Sequence, residues 1–443
     1  MKEVWACLGF NENRKAKSEN PMNYTIQKLT GREILDSRGR PTVLAHCELT
    51  ADGTTYLGSA SVPSGASTGT AEALELRDGD PQRYNGLGCR TAVSHINTIL
   101  NEALHERTVA SQAELDGILL ELDGTPNKSR LGANAILAVS LAFARATAAA
   151  NQVPLYQHLA NMVGSTRQML PQLTINLFSG GKHAGGQVPI QDVLLVPHAR
   201  TIDEGLAQVF SVYQAATKLI LRKYQMRPLR ADEGGLAPNF PDAEAMLGDA
   251  VQAIRDAGLE PGRDMSLAVD VASTHFYAQG QYKLSETALS SKDMILHLMQ
   301  WLNDYPIISI EDGLFEEDWA RWPALRRAVD GRALVLGDDF LCTNPARIRR
   351  AIEEEAANAL LLKVNQIGTL SEAAEAWRLA REAGWHVTVS ARSGETEDDW
   401  LADLAVAWGD QIKVGSITQS ERLAKYNRLL EIEAETGWPV VGA

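Results

Sequence analysis

Six short apolar runs, SLAVDVA, PIISIED, ALVLGDD, ALLLKVN, HVTVSAR and QIKVGS, follow one another through the C-terminal part of the chain. Several are separated by stretches whose apolar residues return at helical spacing, such as NPARIRRAIEEEA and LSEAAEAWRLAREAG. A strand followed by a crossover helix leads into a strand parallel to the first, so the pattern predicts a run of parallel strands. Six or more such units predict a (β/α) barrel. Asn344 before Pro345 reads as an N-cap and first helical residue, which places one helix start by chemistry rather than by periodicity.

The pattern changes near residue 165. Upstream, TVLAHCELTADGTTYLGSASV alternates in period two around an Asp-Gly turn, and ANAILAVSLAFARATAAA has helical character. The expected organisation is therefore a small N-terminal α+β domain over 23–160 followed by a barrel over 165–443. Residues 1–22, polar and charged and without a signal-type apolar segment, read as an N-terminal extension for which disorder is one reading.

An apolar content of 45% supports a large core, and a formal charge of −14 argues against nucleic acid or an anionic membrane surface as partner. No apolar run is expected to reach the ~18 residues of a membrane span. Cys7, Cys47, Cys89 and Cys342 lack zinc-type spacing, so a reducing cytoplasm is the simplest home.

Ionisable residues recur at the ends of the six runs: Asp270, Glu311, Asp338, Lys363, Arg392 and Lys413. A single charge at a strand end is ordinarily the first solvated residue of a loop. Six in succession, three acids and then three cations, would converge on the barrel face where such folds place their chemistry. The acids suit a hard divalent cation such as Mg²⁺; salt bridges between acids and lysines are the structural alternative.

From about Ile34 to Leu430 the chain resembles the enolase family, the glycolytic 2-phosphoglycerate hydro-lyases. The motifs that carry the resemblance are ILDSRGRPTV, SVPSGASTGTAEALELRD, ELDGTPNKSRLGANAILAVSLA, DEGGLAPN, SIED, GDDFLCTNPARI, LLLKVNQIGTL, SARSGETED and SERLAKYNRLLEIE. GLGCR lacks the third glycine of a dinucleotide loop and reads as a turn.

The resemblance implies an enolase-type (β/α)8 barrel behind the small domain, and a homodimer. It also implies a superfamily chemistry in which a Lys or His base works with one or two Mg²⁺ ions. By similarity Lys363 is the base, kept neutral with the help of a second ammonium, and Lys413 holds the substrate carboxylate. Asp270, Glu311 and Asp338 correspond to ligands of a first Mg²⁺, and Ser67, in the PSGASTG loop, to a contact of a second. Arg392 and Ser393 correspond to phosphate contacts, Glu233 to the general acid that protonates the departing hydroxide, and His183 to an active-site histidine.

Four departures stand beside these matches. Ala391 replaces the first residue of a His-Arg-Ser pattern, and Gln191-Asp192 replaces a Gln-Glu pair whose glutamate supports the general acid. Ser179 to Gly186, SGGKHAGG, replaces Asn-Gly-Gly-Ser-His-Ala-Gly-Asn, and Gly313 stands where proline is usual after Ser-Ile-Glu-Asp. Three readings follow: a Mg²⁺-dependent hydro-lyase acting on a phosphonate or phosphinate analogue of 2-phosphoglycerate, as in natural-product pathways; an ordinary enolase; and a non-catalytic binding protein. Retained Lys363, Lys413 and Glu233 weigh against the last, Ala391 and Asp192 against the second.

Overall fold

The structure, a computed structural model, describes residues 23–65, 69–285 and 287–442. The N-terminal extension and Ser67 therefore lie outside the described residues.

Strands β1 (Tyr24–Leu35), β2 (Pro41–Ala51), β3 (Thr54–Ser61) and β4 (Thr108–Val109) form one antiparallel sheet in the order β3-β2-β1-β4. The expected hairpin is present: Asp52 and Gly53, both at positive φ, join β2 to β3 with the twist that such two-residue turns favour. Against this sheet packs the helix Ala133–Asn151, almost all of whose residues are buried. The expectation that no segment is long and apolar enough to cross a membrane needs correction, because this 19-residue helix meets both criteria. Its apolar surface is satisfied inside the protein, where 89% of the window is buried.

Eight strands close a barrel in chain order: β5 (Gln172–Ser179), β6 (Asp192–Pro197), β7 (Met265–Asp270), β8 (Ile307–Glu311), β9 (Leu334–Gly337), β10 (Ala359–Leu362), β11 (His386–Ser390) and β12 (Gln411–Gly415). The six anticipated runs are β7 to β12, and they are parallel. Strand β6, outside the six anticipated runs, runs antiparallel to both β5 and β7. Between β5 and β6 the chain makes only the single turn Gly181–His183, with no crossover helix to carry it back to the other end of the barrel. Asn344 caps its helix as expected, accepting from the backbone N–H of Ala346 at 2.9 Å.

The small domain closes over the barrel mouth. Ser64 and Gly394 exchange backbone hydrogen bonds at 2.8 and 2.9 Å, and the Ser37 N–H donates to the carbonyl of Glu395 at 2.7 Å. At Gly394 a side chain would run into the ion pair of Asp36 and Arg38, which would have to shift, so glycine suits the close approach of the two domains.

Candidate active site

Strand register builds the site. Asp192, Asp270 and Glu311 lie side by side on β6, β7 and β8, and all three are buried. Asp192 joins this row because β6 is reversed: the first residue of an antiparallel strand lies level with the last residues of its neighbours. Asp338 and Lys363 immediately follow β9 and β10, Arg392 follows β11 by two positions, and Lys413 sits within β12 opposite Ser390. Together with His183, Gln191 and Glu233 most of these residues line one cleft with about 440 Å³ of empty space. Glu311 lies behind it, against Lys413.

The charges are paired inside the barrel mouth. The Lys413 ammonium donates to Asp270 at 2.8 Å and to both oxygens of Glu311 at 2.7 Å. Lys363 donates to one oxygen of Asp338 while Gln366 donates to the other at 2.8 Å. Burial favours a neutral Lys363, but Asp338 outweighs it and the ammonium is held above its ordinary pKa. The expected neutral base is therefore not what this arrangement holds, and the salt bridges left open by the sequence are present. Burial raises Asp270, yet Lys413 outweighs it and keeps the carboxyl at about 2, whereas burial and Asp270 push Glu311 well up.

The three expected ligands are oxygen donors, but together they are not among the described groups whose ligand atoms lie within 4.8 Å of one another. Three buried carboxylates are concentrated at one end of the barrel, where two ammonium groups now supply the compensating charge. Two groupings among the described residues bring possible ligand atoms within 4.8 Å of one another: His183, Asp192 and Glu233, and Asp312, Asp338 and Asp339. Asp312 is already committed there, accepting the backbone N–H of Asp338 at 2.9 Å and of Asp339 at 2.8 Å.

On the opposite side His183 bridges two acids. Its Nδ1 meets Asp192 at 3.0 Å, and its Nε2 faces Glu233 at 3.9 Å. Ser179 donates to the other Asp192 oxygen at 2.6 Å, and Asn176 donates to Glu233 at 3.1 Å. Asp192, which stands where the family has the glutamate that supports the general acid, spends its shorter side chain on Ser179 and His183, so any support for Glu233 passes through the imidazole. Burial disfavours the imidazolium, but Asp192 and Glu233 overcome this and raise His183 to about 9. Burial also acts to raise Glu233; His183, Arg422 and the two lysines reverse the sign and hold it below the ordinary range.

The third wall carries Ala391, Arg392 and Ser393. Arg392 donates to both oxygens of Glu72, at 3.0 and 3.1 Å, and to Asn365 at 3.0 Å. Ser393 Oγ accepts from Arg38 at 3.1 Å. Ala391 is buried and lines the cleft. Gln191 donates to Asp270 at 3.1 Å.

Residues 26–159 match the enolase N-terminal domain, and residues 167–441 match the enolase C-terminal TIM barrel domain. The chain belongs to the enolase family. That membership makes it an enolase-superfamily lyase in general, a class of enzyme that acts on small anionic substrates.

Of the residues anticipated from this enolase-family sequence, all except Ser67 are described, and all of these are at the barrel mouth. Glu72, Arg38, Asn365 and Gln366 were missed. They lie inside the enolase motifs TAEALELRD, DSRGRPTV and LLLKVNQIGTL, which was the only signal available. No spacing rule reaches contacts such as Glu72 to Arg392 and Arg38 to Ser393, which join residues 320 and 355 positions apart.

Proposed function

We propose that this enolase-family chain is a Mg²⁺-dependent hydro-lyase that removes the proton α to a carboxylate and eliminates the β-hydroxyl of a phosphonate or phosphinate analogue of 2-phosphoglycerate. The carrying observation is that Ala391, in place of an imidazole, lines the cleft occupied by Lys363, Lys413, Glu233 and Asp270. The groups needed for proton abstraction and charge stabilisation are kept, while the wall near Arg392 is reduced to a methyl group.

Lys363 takes the α proton once it has shed its own, which requires that Asp338 release it. Lys413 stays cationic against Asp270 and suits the carboxylate end of the substrate. Asp270, Glu311 and Asp338 would hold Mg²⁺, which when bound supplies positive charge against the enediolate. Glu233 is ionised in this arrangement, so the proton for the departing hydroxide is stored on His183 and reaches the leaving group by way of Glu233. The α proton ends on Lys363, and hydroxide plus the His183 proton leave as water.

Ordinary enolase activity is the second reading, favoured by the complete set of lysines and strand-end carboxylates. The test is the absorbance of the enol product from 2-phosphoglycerate, with Mg²⁺ and then with chelator. Weak, metal-dependent turnover is expected. Turnover at ordinary enolase rates establishes the second reading, and full activity in chelator overturns the role given to the three carboxylates.

A further inference from the structure

Next to the catalytic cleft lies a second, more open depression with about 810 Å³ of empty space. Lys182, Lys283 and His275 line it together with the apolar surfaces of Val188, Pro189 and Phe276, and among the described residues no carboxylate does. Neither lysine forms an ion pair with a described residue, unlike Lys363 and Lys413 within the cleft. In a chain of formal charge −14, a depression with two lysines and, among the described residues, no acid on its wall is not the average surface.

The depression neighbours the site, since His275 on its wall is close enough to Asp270, Asp338 and His183 to be acted on by their charges. Lys182 directly precedes His183, and His275 follows Ala272 by three positions; His183 and Ala272 both line the cleft. Burial and Lys182 hold His275, on the wall of the depression, at about 4 against the opposing charges of Asp270 and Asp338. Lys182 also stands where the enolase pattern has serine, in the loop that carries His183.

We propose that this depression is a distal subsite for a second anionic group, a carboxylate or a phosphoryl, that the substrate carries beyond the part held by Lys363, Lys413 and Arg392. The apolar wall receives the spacer, and Lys182 and Lys283 meet the charge. The proposal rests on the cleft being the substrate site described above, and it narrows the substrate class to molecules with an additional anionic end.

The test is calorimetric titration of the full chain, with free Mg²⁺ held constant, using methylphosphonate, phosphonoacetate and methylenebisphosphonate. The first has one anionic end; the second adds a carboxylate and the third a phosphoryl across one carbon. At least one two-ended probe should bind about tenfold tighter than methylphosphonate, and Lys182→Ala/Lys283→Ala should remove that advantage. The better probe identifies which group the subsite takes, and Lys182→Arg/Lys283→Arg should restore the advantage because charge is kept. Equal affinity for all three probes, or an advantage that survives the double alanine change, overturns the subsite. Failure of methylphosphonate alone, with lysine-dependent binding of a two-ended probe, keeps the subsite and overturns the reading of the cleft.

Discussion

Replacing Asp192 with asparagine should convert His183 from a cation into a neutral imidazole at physiological pH. The rise of His183 from 6.5 to about 9 corresponds to roughly 3.4 kcal/mol of net preference for the charged form, after burial has acted against it. At 3.0 Å, and with an effective dielectric constant of about 20, one carboxylate contributes on the order of 5 kcal/mol, more than the whole net preference. Removing it therefore leaves burial ahead of the weaker pull of Glu233 at 3.9 Å, and His183 should fall below its ordinary value, to roughly 5. Asparagine keeps the shape and the hydrogen bond from Ser179, so the fold should survive. The assay is an NMR titration of labelled histidines, with His183 assigned by its absence in His183→Gln. A raised folded pKa contributes stability that is fully present below pH 6.5 and is lost as pH rises through about 9. The stability gap between the natural protein and Asp192→Asn, read by denaturant unfolding, should thus be largest near the acid end of that window and narrow through about pH 9. A His183 that still titrates above about 8 in the variant would refute the assignment of its charge to Asp192.

Lys363→Ala should abolish both dehydration and solvent exchange of the substrate's α proton, whereas Glu233→Gln should block dehydration and spare exchange; identical behaviour in isotope-exchange assays would remove the separation of roles. Ala391→His should increase turnover of 2-phosphoglycerate, by about 10² if the imidazole recovers a donor at the leaving group, and further with Asp192→Glu. No change on a background already at ordinary enolase rates would contradict the altered-substrate reading. Gly394→Ala should cost about 1–3 kcal/mol in denaturant unfolding, because its methyl group displaces the Asp36–Arg38 pair at the domain junction; an unaffected midpoint would show that the junction is looser than its hydrogen bonds imply.

Features set by neighbouring residues were legible in the sequence. The period-two run around Asp52-Gly53, the cap at Asn344 and the runs that became β7 to β12 depend on local backbone preference and side-chain alternation, which act over a few residues. Strand-end placement of Asp270, Glu311 and Lys363 followed from those runs, whereas the roles of Glu233 and His183 came from family resemblance alone. Tertiary structure decided the rest. The reversal of β6 brought Asp192 level with Asp270, and register then determined that Asp192 meets His183 rather than Glu233. Closure of the small domain gave Arg392 to Glu72 and Ser393 to Arg38. Which lysine neutralises which acid, and hence whether Lys363 or Glu233 holds a proton, depends on distances of a few ångströms and on exclusion of water. Coulomb attraction and desolvation act through space, so partners hundreds of residues apart leave no local pattern by which a sequence could announce them.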